Sequence, residues 1–285
     1  MKLLERLRKI LSFRILQVEV SRECNLDCKI CMRKNLKSNS GFLSFDNFTR
    51  IVDSYNFKEV ALHGWGEPLL NPDIFQMIKY AKDKGIRTSL TTNGTLVGDN
   101  IDNIFNSNLD DIAFGFYDTN ILMKSIDNVR ELVNEKKIRK SDLRIFFDIT
   151  IFKDNLYDVP NVIRKADEIG ADACVLHRLF NIYNVDKKFK PLSKMEEKEL
   201  FTQVKDIEKK LNFKVYLPKE HDLPCRIVKN TVFVTHEGKV TPCCFLPEFY
   251  IGDTEDGIGN IMKSEKYMNF LGNMKNHDVC SKCIW

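Results

Sequence analysis

Nine cysteines in two clusters constrain this chain more than any other feature of its sequence. Cys24, Cys28 and Cys31 fall within eight residues; Cys225, Cys243, Cys244, Cys280 and Cys283 lie within the last 61 of 285, with Cys174 alone between the groups. An odd number of cysteines in a long chain without an export signal argues against a disulfide framework and for metal ligation or redox chemistry. The first twelve residues mix Lys2, Glu5, Arg6, Arg8 and Lys9 with leucines and lack a small-residue cleavage site, so they do not read as a secretory signal. The expected location is the cytoplasm.

Composition narrows the class further. Apolar residues make up 43% and charged residues 29%, which is globular and not disordered. A formal net charge of +4 is too small to argue for a concentrated nucleic-acid-binding face. Every long apolar run is broken by charge well before the ~18 residues of a membrane span.

Short β-branched runs alternate with amphipathic helical stretches. The strand candidates are residues 15–20, 59–63, 86–92, 111–116, 143–152 and 173–179. Between them, Pro72 reads as a first helical residue and Gly85 as a stop, Pro160 and Gly170 bracket another helix, and Ser193 with Glu196 forms a capping box ahead of a helix to about residue 211. Six β-α units in series imply a parallel sheet with crossover helices. A closed eight-unit barrel takes about 250 residues, so six units predict an α/β fold of open, partial (β/α)6 TIM-like form. Chemistry in such folds sits at the C-terminal ends of the strands. Beyond residue 212, two short strand candidates flank His236-Glu237-Gly238 as a hairpin, a short helix is expected near 264–273, and Cys280-x2-Cys283 follows. About 70 residues bury little core of their own, so this small cysteine-rich domain reads as stapled by a metal. The expected boundaries are 1–14 for an N-terminal amphipathic helix, 15–190 for the barrel, 191–215 for a linker helix and 216–285 for the small domain.

Three thiolates in one loop can hold three irons of a 4Fe–4S cluster and leave the fourth iron open, whereas ordinary ferredoxin clusters use four cysteines. A zinc loop or a set of buried thiols is the alternative. Cys24-x3-Cys28-x2-Cys31, directly after the first strand, resembles the signature of the radical S-adenosylmethionine (radical SAM) superfamily. Gly64-Trp65-Gly66-Glu67-Pro68, after the second strand, resembles that family's glycine-glycine-glutamate-proline motif, which receives the methionine amino group; a solvated turn is the plain reading of Glu67. Thr92-Asn93-Gly94-Thr95, after the third strand, resembles a loop common in this branch, although Asn-Gly is also a good turn on its own. Ile30 stands where the family packs a side chain near the adenine. The resemblance implies a partial (β/α)6 barrel in which the methionine end of the cofactor chelates the open iron. It further implies reductive cleavage of the carbon–sulfur bond and hydrogen abstraction by a 5′-deoxyadenosyl radical.

Cys225 and Cys243, 18 residues apart, and the Cys280/Cys283 pair make a four-cysteine set that on spacing alone could hold zinc or an iron–sulfur cluster. The arrangement resembles the auxiliary-cluster SPASM extension of radical SAM enzymes, in its shortened "twitch" form. That resemblance implies one auxiliary 4Fe–4S cluster held by Cys225, Cys243, Cys280 and Cys283, with no open iron and hence a role in moving electrons. Cys244 could replace Cys243, but Gly238 five residues ahead favours Cys243.

Other residues carry two readings each. Cys174 is a core thiol or a hydrogen-atom donor to a substrate radical. Arg178, ending the sixth strand, binds the cofactor carboxylate or a substrate anion, or is a surface arginine. Asp118, beside Tyr117 after the fourth strand, is a candidate for the cofactor ribose or the substrate. His177 is expected to face the helices. Leu3, Leu4, Leu7, Ile10 and Leu11 form a helical stripe opposite basic residues, which packs on the barrel or touches an anionic membrane surface weakly.

The function expected is a dehydrogenase-type radical SAM oxidoreductase acting on a sugar- or cyclitol-like small molecule, the second electron passing to the auxiliary cluster. A one-electron donor such as flavodoxin or ferredoxin would feed it, and no nucleic acid is involved. One alternative is a peptide- or protein-modifying maturase or epimerase, against which only about 14 residues precede the first strand. Another is a non-catalytic iron–sulfur or zinc protein.

Overall fold

Strands and helices alternate along the chain: β1 (Ile15–Val18), α1 (Phe45–Asp53), β2 (Glu59–Leu62), α2 (Ile74–Asp83), β3 (Arg87–Thr92), α3 (Ile101–Asn106), β4 (Asp111–Phe116), α4 (Thr119–Arg139), β5 (Arg144–Ile151), α5 (Val159–Ile169), β6 (Ala173–Arg178), α6 (Lys194–Leu211), β7 (Lys214–Tyr216), α7 (Arg226–Asn230), β8 (Thr231–Val234), β9 (Lys239–Thr241), β10 (Gly252–Asp253), α8 (Ile258–Ile261) and α9 (Glu265–Asn273). This computed structural model describes residues 15–284 apart from 39, 118, 181, 184, 185 and 224. The N-terminal stripe and Asp118 therefore lie outside the described residues.

All six expected strands form, each ending within two residues of the sequence reading, and the hairpin and the short C-terminal helix form as expected. The capping box is present: the Ser193 hydroxyl accepts the Glu196 N–H, and the Glu196 carboxylate accepts the Ser193 N–H. Gly170 closes α5 in the left-handed conformation, φ +91°. One start is displaced. α2 begins at Ile74 and not at Pro72, and the buried Asn71 side chain makes a turn ahead of it, its Oδ1 accepting the Asp73 N–H at 2.9 Å. Its Nδ2 donates to the carbonyls of Val20 and Leu43 at 2.7 and 3.0 Å.

The chain forms two compact units. The first holds residues 15–27 together with Arg33–Thr88 and His221–Cys283. In it β1 lies between β2 and β8 and is parallel to both, with β9 antiparallel to β8 and β10 antiparallel to β9. The boundary expected at 215/216 does not separate these residues from β1 and β2, because β8 hydrogen-bonds directly onto β1.

The second unit holds Cys28–Met32 and Ser89–Glu220, with Ile284. Its strands run parallel in the order β3-β4-β5-β6-β7. The three-residue β7 is a strand beyond the six expected. The helices cover one face of this sheet, α4 on β4, α5 on β5 and β6, α6 on β7. Phe114, Phe147, Ile149, Cys174 and Leu176 are buried against them. The opposite face carries Thr91, Gly115, Asp148, Thr150 and His177, all half-buried. The expectation that His177 faces the helices is thus corrected. His177 pairs with Thr150 and shares its face, whereas Cys174 pairs with Phe147 on the helix side. In a strand a one-residue slip exchanges the two faces, and the sequence contains nothing that fixes the slip at the end of β6.

Candidate functional site

Where β1 ends, the chain enters the segment that carries Cys24. Glu19 is wholly buried there and Arg22 nearly so (0% and 3% exposed). Arg22 donates two hydrogen bonds to the Glu19 carboxylate, at 2.8 and 2.5 Å, and a third to the Ser38 carbonyl at 2.8 Å. The same carboxylate accepts the Trp65 backbone N–H at 3.0 Å and lies 3.3 Å from Nδ1 of the buried His236. Burial pulls the Glu19 pKa up; the bonds from His236 and Arg22, the Arg22 charge and the Trp65 N–H outweigh it and hold the carboxyl below its ordinary range.

The motif after β2 is laid against this segment. A Cβ on Gly64 would stand 2.5 Å from the Glu19 side chain, and one on Gly66 would stand 2.4 Å from the Ser21 carbonyl oxygen and 2.5 Å from that of Glu23. Only glycine allows that approach. The Glu67 N–H then donates to the Glu23 carbonyl at 2.7 Å, one residue before Cys24. Glu67 itself is buried, and its carboxylate accepts the Leu69 N–H at 3.1 Å. Trp65 reaches the other way: its indole N–H donates to the Cys244 carbonyl at 2.8 Å, and its ring meets Phe245 edge-on at 5.8 Å.

None of the nine cysteines is in a disulfide. Cys24, Cys28 and Cys31 are partly exposed, and Cys24 Sγ accepts the Leu26 N–H at 3.4 Å. The Cys31 N–H donates to the Cys28 carbonyl at 3.1 Å, a tight turn within the second unit. Ile30 in that turn packs with Tyr117 against Phe152, Leu179 and Phe189. Tyr117, Phe152 and Leu179 directly follow β4, β5 and β6. The cysteine turn of the second unit therefore sits at the C-terminal ends of its strands, where open parallel sheets bind ligands.

The C-terminal thiols form a group within the first unit. Cys280 is pushed up to about 12 by burial and then by the fields of Cys243, Cys283 and Cys225. Cys225 is raised by burial and by Cys243, against the backbone N–H groups of Val228 and Ile227. Cys243 is raised by the contact with Cys244 and by burial, while its sulfur accepts the Phe245 N–H at 3.4 Å. Tyr267 is fully buried and donates to the Val228 carbonyl at 2.8 Å. Among the described residues no three His, Cys, Asp or Glu side chains close on the position of a single metal ion. A four-cysteine cluster asks something else, four thiolates around a multi-iron body with N–H donors at the sulfurs. At Cys225 and Cys280 burial, and after it the neighbouring sulfurs, favours the protonated thiol, which fits a cationic cluster that would take the protons' place. Cys243 is among the sulfurs whose field acts on Cys280.

The remaining candidates fall as follows. Asn93 folds its carboxamide back on the Thr95 N–H and hydroxyl, at 2.9 and 2.7 Å, in a local turn with Gly94 at φ +80°. Cys174 has no exposed surface, and burial with the charges of Asp148 and Asp167 keeps its thiol protonated. Arg178 holds Glu197 with two donors at 2.6 and 2.8 Å and directs the others to the carbonyls of Lys219, Ile284 and Pro218. All five of its N–H groups are thereby engaged. The Glu19–Arg22–His236 network has no counterpart in the sequence reading; its one sequence signal is a glutamate and an arginine in the buried approach to Cys24.

The chain matches the profile of the radical SAM superfamily over residues 18–169. It belongs to the radical SAM superfamily. Residues 225–284 match SPASM, an iron–sulfur cluster-binding domain. A radical SAM enzyme with this domain works with S-adenosylmethionine, the 4Fe–4S cluster that binds it, and auxiliary iron–sulfur chemistry. The chain is 24% identical over 181 residues to the tungsten-containing aldehyde ferredoxin oxidoreductase cofactor-modifying protein of Pyrococcus furiosus, covering 58% of this chain and 51% of that one. It thus spans about half the length of that relative. It is 26% identical to a probable GTP 3′,8-cyclase of Sulfurisphaera tokodaii over 278 residues, 88% of this chain and 85% of the other. Among solved structures, SuiB of Streptococcus suis bound to S-adenosylmethionine superposes with a TM-score of 0.77 at 14% identity, over 99% of this chain and 74% of that one. That likeness shows the fold, a partial α/β barrel with a small C-terminal domain. Among the described residues no helix is long and apolar enough to cross a membrane.

Proposed function

We propose that this radical SAM enzyme oxidises a small hydroxylated molecule, of sugar or cyclitol type, by two electrons. Cys24, Cys28 and Cys31 hold the S-adenosylmethionine cluster, and Cys225, Cys243, Cys280 and Cys283 hold the auxiliary one. The observation that supports the reading is the match of residues 225–284, which include Cys225, Cys243, Cys280 and Cys283, to an iron–sulfur cluster-binding domain. Four thiolates leave no iron open to substrate, so that centre accepts an electron and does not bind the molecule being oxidised. When bound, S-adenosylmethionine and its cluster supply the hydrogen-abstracting radical. The chain's part is to hold Glu67 and the Cys24 segment together through Gly64, Gly66 and the Glu19–Arg22 pair. A one-electron donor such as flavodoxin or ferredoxin, and a reducing cytoplasmic location, belong to the same reading.

A nucleotide substrate is the second reading, favoured by the match along 88% of the chain to a probable GTP 3′,8-cyclase. Iron and acid-labile sulfide after anaerobic reconstitution test the cluster assignment. About eight irons per chain should fall to about four in the Cys24/Cys28/Cys31 triple-alanine variant; four falling to none would remove the auxiliary cluster and the oxidation with it. Incubation with myo-inositol and with GTP then separates the two substrate classes. Cys280→Ala should form 5′-deoxyadenosine without oxidised product, and normal product yield in it would refute the electron-acceptor role.

A further inference from the structure

The sheet face opposite the helices in the second unit carries a histidine–aspartate pair that neither cluster needs. His177 Nε2 lies 2.5 Å from Asp148 Oδ1, the side chains being 28% and 25% exposed. The two come from adjacent parallel strands, on the half-buried face that a helix layer does not cover. Next to Asp148 on β4 the register places Gly115. A Cβ on Gly115 would meet only the Thr92 carbonyl oxygen, at 3.9 Å, so the space beside Asp148 is open. Glycine in the middle of a strand gives up side-chain packing, and it recurs where another molecule approaches the backbone closely. An acid–base pair and a vacant side-chain volume thus share one face, toward the strand ends where Ile30 of the cysteine turn packs.

We propose that the His177–Asp148 pair, with the space over Gly115, is the substrate subsite of this enzyme, where His177 takes the proton of the hydroxyl being oxidised. The inference rests on the oxidoreductase reading above and deepens it. Oxidation of a secondary alcohol to a ketone breaks one C–H and one O–H bond, and removes one hydrogen atom, one proton and one electron. The hydrogen atom leaves carbon for the radical derived from S-adenosylmethionine, the electron passes to the auxiliary cluster, and the hydroxyl proton goes to His177. The carbon–oxygen bond becomes double in the same change. Asp148 Oδ1 stands beside Nε2, so the nitrogen turned away from the carboxylate, Nδ1, is the one proposed to accept the proton. Burial lowers the basicity of this imidazole, and the charge and hydrogen bond of Asp148 raise it further than burial lowers it. Other titratable groups on this face include Tyr216 and Lys214 on β7, level with Val175 and Ala173, and the paired Arg144 and Asp111 near the strand starts. The class of ligand that fits is a small polyol: a group that offers an O–H to a half-buried base and a carbon skeleton to a glycine floor.

The test uses reconstituted enzyme with S-adenosylmethionine, dithionite and myo-inositol or GTP as probe. His177→Gln should lower oxidised product at least about 100-fold, the usual worth of a positioned base, while S-adenosylmethionine is still cleaved to 5′-deoxyadenosine. Product formation by wild type should rise with pH through the raised His177 pKa, and that limb should vanish in the variant. Gly115→Val, which suits a strand, should raise KM at least tenfold with the iron content unchanged. If wild type oxidises a probe and His177→Gln makes product within threefold with the same pH profile, the inference is overturned and the oxidoreductase reading stands. If wild type oxidises neither probe, that reading fails, and a second readout decides the subsite alone. In 15N-histidine-labelled apo-protein, myo-inositol or GTP should shift the His177 ring resonances in wild type and not in Gly115→Val; no shift with either probe overturns the subsite.

Discussion

Replacing Glu19 by glutamine should be among the most damaging single changes outside the cysteines. The substitution keeps the shape and removes the charge. Arg22, 3% exposed, is then left as a buried cation with the Ser38 carbonyl and a neutral amide in place of its carboxylate. Breaking a buried pair from one side typically costs about 3–5 kcal/mol. With roughly 2–4 °C of melting temperature per kcal/mol for a chain of this size class, Tm should fall by roughly 6–20 °C. The assay is anaerobic thermal unfolding of apo-protein followed by far-UV circular dichroism. Removing both charges, Glu19→Gln with Arg22→Met, should recover at least half of the loss, because a well-packed apolar pair is a tolerable replacement for a buried ion pair. The sign with pH is fixed as well. The Glu19 pKa is lowered from 4.5 in the folded state, so its contribution is complete above about pH 5 and is lost as pH falls through the folded value. The gap between wild type and variant should therefore be flat at neutral pH and close in acid. A drop below about 3 °C, or a double variant no more stable than the single, would refute the reasoning.

Further outcomes follow from the same contacts. Gly66→Ala sets a Cβ 2.4 Å from a backbone oxygen, so the Cys24 segment must shift and iron bound at the N-terminal cysteines should fall by half or more, read by iron analysis of the Cys280→Ala background. Cys243→Ala should lose about four irons per chain, and Cys244→Ala should keep them; the reverse would exchange the two ligands. Trp65→Phe keeps a ring beside Phe245 but leaves the Cys244 carbonyl unsatisfied, which should cost about 1–3 kcal/mol in a urea titration.

The six β-α units are legible because each is a local pattern: apolar alternation for the strand, a cap or a glycine for the helix end. The cysteine loop and the Gly64–Pro68 motif are legible for the same reason, as short contiguous runs. What escapes is long in range. Glu19 meets His236 across 217 positions, and no local pattern announces such a pair. β7 has three residues and takes its identity from lying beside β6. The sequence puts His177 on the wrong face because its neighbour Arg178 looks like the group aimed at the strand ends. Arg178 instead clamps Glu197 and three carbonyls, contacts that become visible only when α6 and the residues after β7 are in place.

The order in which these parts can form during synthesis follows from the threading of the two units. The second is almost one contiguous stretch, Ser89–Glu220, and can begin to fold as soon as that stretch has left the ribosome. The first cannot: β1 stays without its β8 neighbour, and Glu19 without His236, until more than 200 further residues have been made. At about 5–20 residues per second, the stretch from Ile15 to Val234 takes roughly ten seconds or more to appear, during which β1 presents an unpaired edge. The middle of the chain should thus mature before its beginning. Pulse proteolysis of stalled nascent chains would show protection of 89–220 before 15–88, and earliest protection at the N-terminus would contradict it.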